Sequence, residues 1–174
     1  DDVLLPPEDG PAILMFDIET SPLLGWAFTP FKPIIRDVPL PTFMLCYAYK
    51  WLGAPSAKWV GLPQDPNYEP LTTIDLFGQP DITRDRYVVE RLAWLFDRAD
   101  ILIAHNGDRF DVKKSNTYFR RNGLPPPSPY QTLDTLKETK REFAEEMNTL
   151  DYLSHMSGAG HKEPHEKGMH MWFR

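Results

Sequence analysis

The sequence predicts an α/β domain with a mixed sheet, three antiparallel strands followed by parallel ones, and helices packed against it. Two observations carry this. Three short apolar runs, at residues 11–19, 43–51 and 57–62, are too brief for helices and are separated by turn residues, so they form a meander. From Asp81 onward the apolar period lengthens to that of a helix, and the order becomes helix, strand, helix, strand.

The first run, PAILMFDIE from Pro11 to Glu19, lies between Gly10 and Ser21-Pro22 and reads as a buried strand. Gly25 to Pro41 holds Trp26, Phe28 and Phe31 among four prolines, which break regular pairing, and is expected to be a loop. Phe43 to Trp51 is the second strand, its Phe43, Tyr47, Tyr49 and Trp51 forming a packed face. Ala57 to Leu62 returns antiparallel as the third. Val88, Leu92, Leu95 and Phe96 recur at helical spacing, with Thr83 as the expected N-cap. Asp100 to Ala104 is then a buried strand, and the turn at His105 to Asp108 leads into a helix from Arg109 to Asn122 closed by Gly123. A short strand at Gln131 to Asp134 precedes helices at Leu136 to Glu146 and Thr149 to Met156, after which residues 158–174 read as irregular.

At 174 residues and 20.1 kDa the chain suits one domain. Its 41% hydrophobic and 25% charged residues exclude a disordered, collagen-like or coiled-coil chain. The single cysteine, Cys46, excludes an internal disulfide framework. With no apolar run of spanning length and no basic leader, the expectation is a soluble, cytoplasmic protein without a membrane partner. A net charge of −6 repels phosphate backbones, so a nucleic-acid partner would need a local basic face or bound cations.

Candidate chemistry begins at the end of the first strand. Asp17 and Glu19 are two apart, so both side chains project from one sheet face. Asp111 lies in the first turn of the helix after the strand Asp100 to Ala104. If that strand runs parallel beside the first, three carboxylates from two elements form a hard-oxygen site suited to magnesium or manganese. Asp108 is the expected N-cap of the helix.

The runs Phe16-Asp17-Ile18-Glu19-Thr20 and His105-Asn106-Gly107-Asp108-Arg109-Phe110-Asp111 resemble the first and second motifs of the DnaQ-like (DEDD) 3'-5' exonucleases, which have the ribonuclease H-like fold. Leu133-Asp134-Thr135-Leu136 and Asn148-Thr149-Leu150-Asp151-Tyr152-Leu153 are similar to segments that follow the second motif. The resemblance implies four acids holding two divalent ions, Mg2+ or Mn2+, with Asp17, Glu19 and Asp111 as three of the four. It implies Thr20 and Leu24 at the terminal nucleotide, Asn106 and Phe110 shaping the site, and nucleoside 5'-monophosphates as products. One ion would activate water while the other, about 4 Å away, stabilises the departing 3' oxygen. No aspartate follows Asp151, so the third motif is incomplete. Three explanations stand: the sequence stops before the motif, which Lys167 to Trp172 approaches; His161 and Glu166 imitate it; or the domain is inactive and only binds.

The resulting expectation is a metal-dependent exonuclease on single-stranded nucleic acid, DNA ahead of RNA, with 3' ends as substrate and a polymerase or another replication or repair protein as partner. Alternatives are a ribonuclease of the same fold acting on RNA or an RNA-DNA hybrid, and an inactive binding domain. Lys113 with Arg120, and Lys114 with Arg121, share helix faces and are candidates to track phosphates or to be mere solvated surface. Leu23, Leu24, Trp26 and Phe28 are candidates to stack on bases or to be core.

Overall fold

The computed structural model describes residues 5–28, 34–69 and 81–161. In chain order its elements are β1 (Ile13–Thr20), β2 (Leu24–Ala27), β3 (Ile35–Leu40), β4 (Met44–Trp51), β5 (Lys58–Gly61), α1 (Arg86–Phe96), β6 (Ile101–Ala104), α2 (Asp111–Arg121), β7 (Gln131–Asp134), α3 (Thr135–Glu142) and α4 (Leu150–Met156). Phe31 and residues 162–174, with His165, Glu166 and His170, lie outside the described residues.

Five strands form the main sheet in the order β5-β4-β1-β6-β7. β5, β4 and β1 pair antiparallel, while β6 runs parallel to β1 and β7 parallel to β6. This is the mixed α/β sheet the sequence predicts. Alternation along β1 buries Leu14, Phe16 and Ile18 and leaves Asp17 and Glu19 exposed. The apolar stripe of α1, Val88, Val89, Leu92, Leu95 and Phe96, is buried with them. The Phe96 ring meets Phe16, Phe119 and Tyr130 edge-on at centroid distances of 5.0, 5.2 and 5.6 Å. Such pairs add about 0.5–1.5 kcal/mol each beyond area burial. Phe43, Tyr47, Tyr49 and Trp51 are all buried, as expected of a packed face.

Four expectations are corrected. The described residues of the proline-bearing segment Gly25 to Pro41, expected to be a loop, include two strands: β2 and β3 pair antiparallel as a separate two-stranded sheet. Pro39 is tolerated because each strand of such a pair has one edge without a ladder. Thr83 does not cap α1, which starts at Arg86; Asp81 instead accepts the Thr83 N–H and hydroxyl at 2.8 and 2.7 Å. Asp108 does not cap α2, since Phe110 occupies that position and Asp108 accepts a hydrogen bond from Lys137. α3 ends at Glu142 rather than Glu146, because none of its residues is buried and no core contact prolongs it. Gly123, at φ +71°, closes α2 as expected.

Candidate active site

β6 pairs with β1 from Ile13↔Ile101 to Met15↔Ile103, and the chain after Ala104 turns through Asn106 to begin α2. Asp111, in the first turn of that helix, then meets the end of β1: its Oδ1 accepts the Ile18 N–H at 3.2 Å. Ile18 stands between Asp17 and Glu19, so one hydrogen bond brings the third carboxylate to the other two. Burial is the main cause that pushes the Asp111 carboxyl up to about 6; the Ile18 N–H opposes the rise, and the negative charges of Asp17 and Glu19 add to it. Cys46, paired with Glu19 across β1 and β4, senses the same charges: its thiol is raised first by burial, then by Glu19 and Asp17.

The parallel register of β1 and β6 thus brings Asp17, Glu19 and Asp111 into one electrostatic cluster at the C-terminal ends of the parallel strands, where open α/β sheets place their ligands. The donors are all hard carboxylate oxygens, and the raised Asp111 marks a negative charge that a divalent cation would relieve, so the residues fit magnesium or manganese in kind. Among the described residues, however, no three His, Cys, Asp or Glu side chains close on one point as a preformed metal group.

The other predicted site residues are distributed around this cluster. Thr20 neighbours the buried Tyr118 hydroxyl, which donates to Thr42 Oγ1 at 3.0 Å. Leu24 opens β2, opposite Leu40, and is partly exposed. Asn106 adopts φ +65°, the one left-handed non-glycine among the described residues, and so redirects the chain from β6 into α2. Phe110, 38% exposed, ends that turn.

Several supporting residues escaped the sequence reading. Asp134, 4% exposed, accepts from the Asn106 N–H at 2.9 Å, the Leu136 N–H at 3.0 Å and the Asp108 N–H at 3.4 Å, and so clamps the turn that delivers Asp111. An aspartate between a strand and a helix is itself an N-cap signal. His105 Nε2 donates to the Asn148 carbonyl at 2.9 Å, and its Nδ1 lies 3.0 Å from Thr135 Oγ1. Asp85, fully buried, accepts from the Met44 N–H at 2.8 Å and Asn122 Nδ2 at 2.9 Å; burial raises its carboxyl against those bonds. On α2 the basic pairs divide. Lys114 and Arg121 donate to Thr42 Oγ1 and its carbonyl at 3.0 and 2.6 Å, whereas Lys113 and Arg120 are exposed.

A shallow groove of about 300 Å³ beside β1 and β6 is lined by Met15, Asp17, Lys50, Ile103, His105 and Thr135 among others. A larger cavity of about 540 Å³ lies elsewhere, between Phe119 and the proline-rich segment ending at Tyr130. No acid lines it, so carboxylate chemistry rather than cavity size locates the site.

Residues 71–166, more than half of the chain, match the family model RNase_T, described as an exonuclease. The chain belongs to the RNase_T exonuclease family. The expected kinship with DnaQ-like exonucleases of the ribonuclease H-like superfamily therefore holds. The RNase_T match includes Asn106, Phe110 and Asp111; Asp17 and Glu19 precede it. A solved structure of similar fold is the family B DNA polymerase from the hyperthermophilic archaeon Pyrobaculum calidifontis, at TM-score 0.52 and 18% identity over 91% of this chain and 19% of the polymerase. The chain thus spans about a fifth of that polymerase's length, and the likeness supports the ribonuclease H-like fold expected from the motifs. No curated protein matches the sequence. Among the described residues, no helix is long and apolar enough to cross a membrane.

Proposed function

We propose that this RNase_T-family chain is a divalent-metal-dependent 3'-5' exonuclease that shortens single-stranded nucleic acid, DNA ahead of RNA, and releases nucleoside 5'-monophosphates. The observation that carries the reading is the entry of Asp111 at Ile18, between Asp17 and Glu19, in a chain whose family is exonucleolytic. Asp17, Glu19 and Asp111 would hold Mg2+ or Mn2+. Such ions, when bound, lower the pKa of a water and stabilise a departing 3' oxygen. The chain's own residues supply position: Asp134 and the left-handed Asn106 fix the turn before α2, and the Ile18 N–H orients Asp111. Thr20 and Leu24, where the chain leaves the carboxylates, would bound the terminal nucleotide, with Phe110 on the side of α2. The DNA polymerase neighbour supports DNA over RNA and a replication or repair setting.

Degradation of 5'-labelled single-stranded DNA and RNA in manganese tests this. The expected result is a ladder shortening from the 3' end, abolished by EDTA and by Asp17→Ala, with DNA preferred. Intact substrate under the same conditions contradicts the reading and favours a domain that only binds; preferential degradation of RNA transfers it to a ribonuclease.

A further inference from the structure

The β2–β3 sheet stands apart from the main sheet and exposes apolar side chains that nothing in the candidate site uses. Trp26 is 54% exposed and Phe28 is 91% exposed, with Ile35 and Val38 also open. A lone two-stranded sheet is marginal in water, and one that displays large apolar groups needs something to cover it. Its root is nevertheless fixed. The Ser21 N–H donates to the Phe43 carbonyl at 2.9 Å, the Phe43 N–H donates to Ser21 Oγ at 3.0 Å, and Leu40 is buried. The hairpin therefore leaves the end of β1 in a set direction, directly beyond the carboxylates.

Cationic side chains stand at its root and on β3 in a chain of net charge −6. Lys114 and Arg121 both reach the root at Thr42, and Arg36 lies exposed on β3. The one acid on the strands, Asp37, folds its carboxylate back onto the Val38 N–H at 2.8 Å. Gly25 lets the strands close up, since a Cβ there would meet the Ile35 side chain at 2.6 Å. Leu24 pairs with Leu40 and Trp26 with Asp37, with a register shift between them. Contour from Glu19 to Trp26 is at most roughly 23 Å at about 3.3 Å per residue. That is about seven stacked nucleotides at roughly 3.4 Å each.

From this placement we infer that the β2–β3 hairpin is a base-stacking platform: Trp26 and Phe28 hold the bases of the single strand upstream of its 3' end, without reading sequence. The inference rests on the exonuclease reading for the identity of its ligand, and it extends the contact beyond the terminal nucleotide. Base–aromatic stacking contributes about 1–3 kcal/mol per base, which is roughly 5- to 150-fold in affinity.

The test measures binding of a twelve-nucleotide oligothymidylate in EDTA, beside the same oligonucleotide with abasic residues at positions three to eight from the 3' end. The unsubstituted chain is expected to bind the intact oligonucleotide at least about 10-fold more tightly than the abasic one. Trp26→Ala/Phe28→Ala should lose that advantage while binding the abasic strand unchanged, and Trp26→Phe should retain most of it. Both alanine sites are exposed, so an unchanged melting temperature verifies the fold. Equal binding of the intact strand by the double variant and the parent overturns the inference. So does a concentration-dependent dimer in sedimentation that the double variant abolishes, which would give the face to a second copy. Base-dependent binding without any metal-dependent shortening supports the platform while rejecting the exonuclease reading.

Discussion

Asp111 combines burial with two neighbouring anions, and its chemistry yields the sharpest expectations. Its carboxyl, raised to about 6 in the folded chain, disfavours the ionised form that metal binding requires. For an acid raised in this way, the stabilising effect of protonation is complete below the unfolded pKa, near 3.8, and is lost as pH rises through about 6. Without metal, Asp111→Asn keeps an acceptor for the Ile18 N–H and removes the charge. It should stabilise the chain by about 2–3 kcal/mol at pH 8. That is a rise of roughly 4–10 °C in melting temperature, shrinking toward nothing near pH 4. The same substitution should lower hydrolysis by more than about 100-fold, beyond what outer-sphere partners of a metal site usually cost. Thermal melts across pH beside the gel assay check both; a variant less stable than the parent at pH 8 would show that the cluster does not repel.

At the scale of elements, the basic residues of α2 divide between two environments. Lys114 and Arg121 tie it to Thr42, whereas Lys113 and Arg120 face solvent. Lys113→Ala/Arg120→Ala should reduce the salt dependence of oligonucleotide binding by a slope of about 1–2 without changing the melting temperature. Lys114→Ala should instead lower the melting temperature by a few degrees, on the order of one hydrogen bond to a charged group. An unchanged salt slope in the first pair returns that face to ordinary surface. Asp85 joins α1, β4 and α2, so Asp85→Ala leaves the Met44 N–H buried without that acceptor and the Asn122 amide with the Tyr118 carbonyl alone. A loss of about 2–4 kcal/mol is expected in chemical denaturation.

These elements also show what could be read from the chain. Strand β1 and the helix of Asp111 were legible, because an apolar run ending in Asp-x-Glu and a helical period have only one way to bury themselves. The β2–β3 pair was not, because of its strand residues only Leu40 is buried in the core, which leaves no alternation to read, and its prolines read as breakers. The roles of Asp85 and Asp134 were hidden for a different reason: each serves backbone groups from elements far away in sequence, and only the fold reveals which.

For the molecule as a whole, the parallel pairing of β1 and β6 converts two distant motifs into one acidic centre, 93 residues apart along the chain at the Ile18–Asp111 contact. A net charge of −6 makes bound cations the natural means of admitting a phosphate backbone to it. Ligand linkage then predicts about 2.7 kcal/mol of added stability when manganese is present at 100 times its dissociation constant, seen as a rise in melting temperature. Calcium, a hard-oxygen cation of larger size, should stabilise less if the three acids prefer the smaller ions.

A metal centre shared between β1 and α2 is checked by calorimetric titration of manganese into the unsubstituted chain, Asp17→Ala and Asp111→Asn. Saturable binding by the parent and its loss in both variants are expected, since neither β1 nor α2 completes the centre alone. Binding that survives Asp111→Asn, or that is absent from the parent, would contradict a metal centre shared between the two elements.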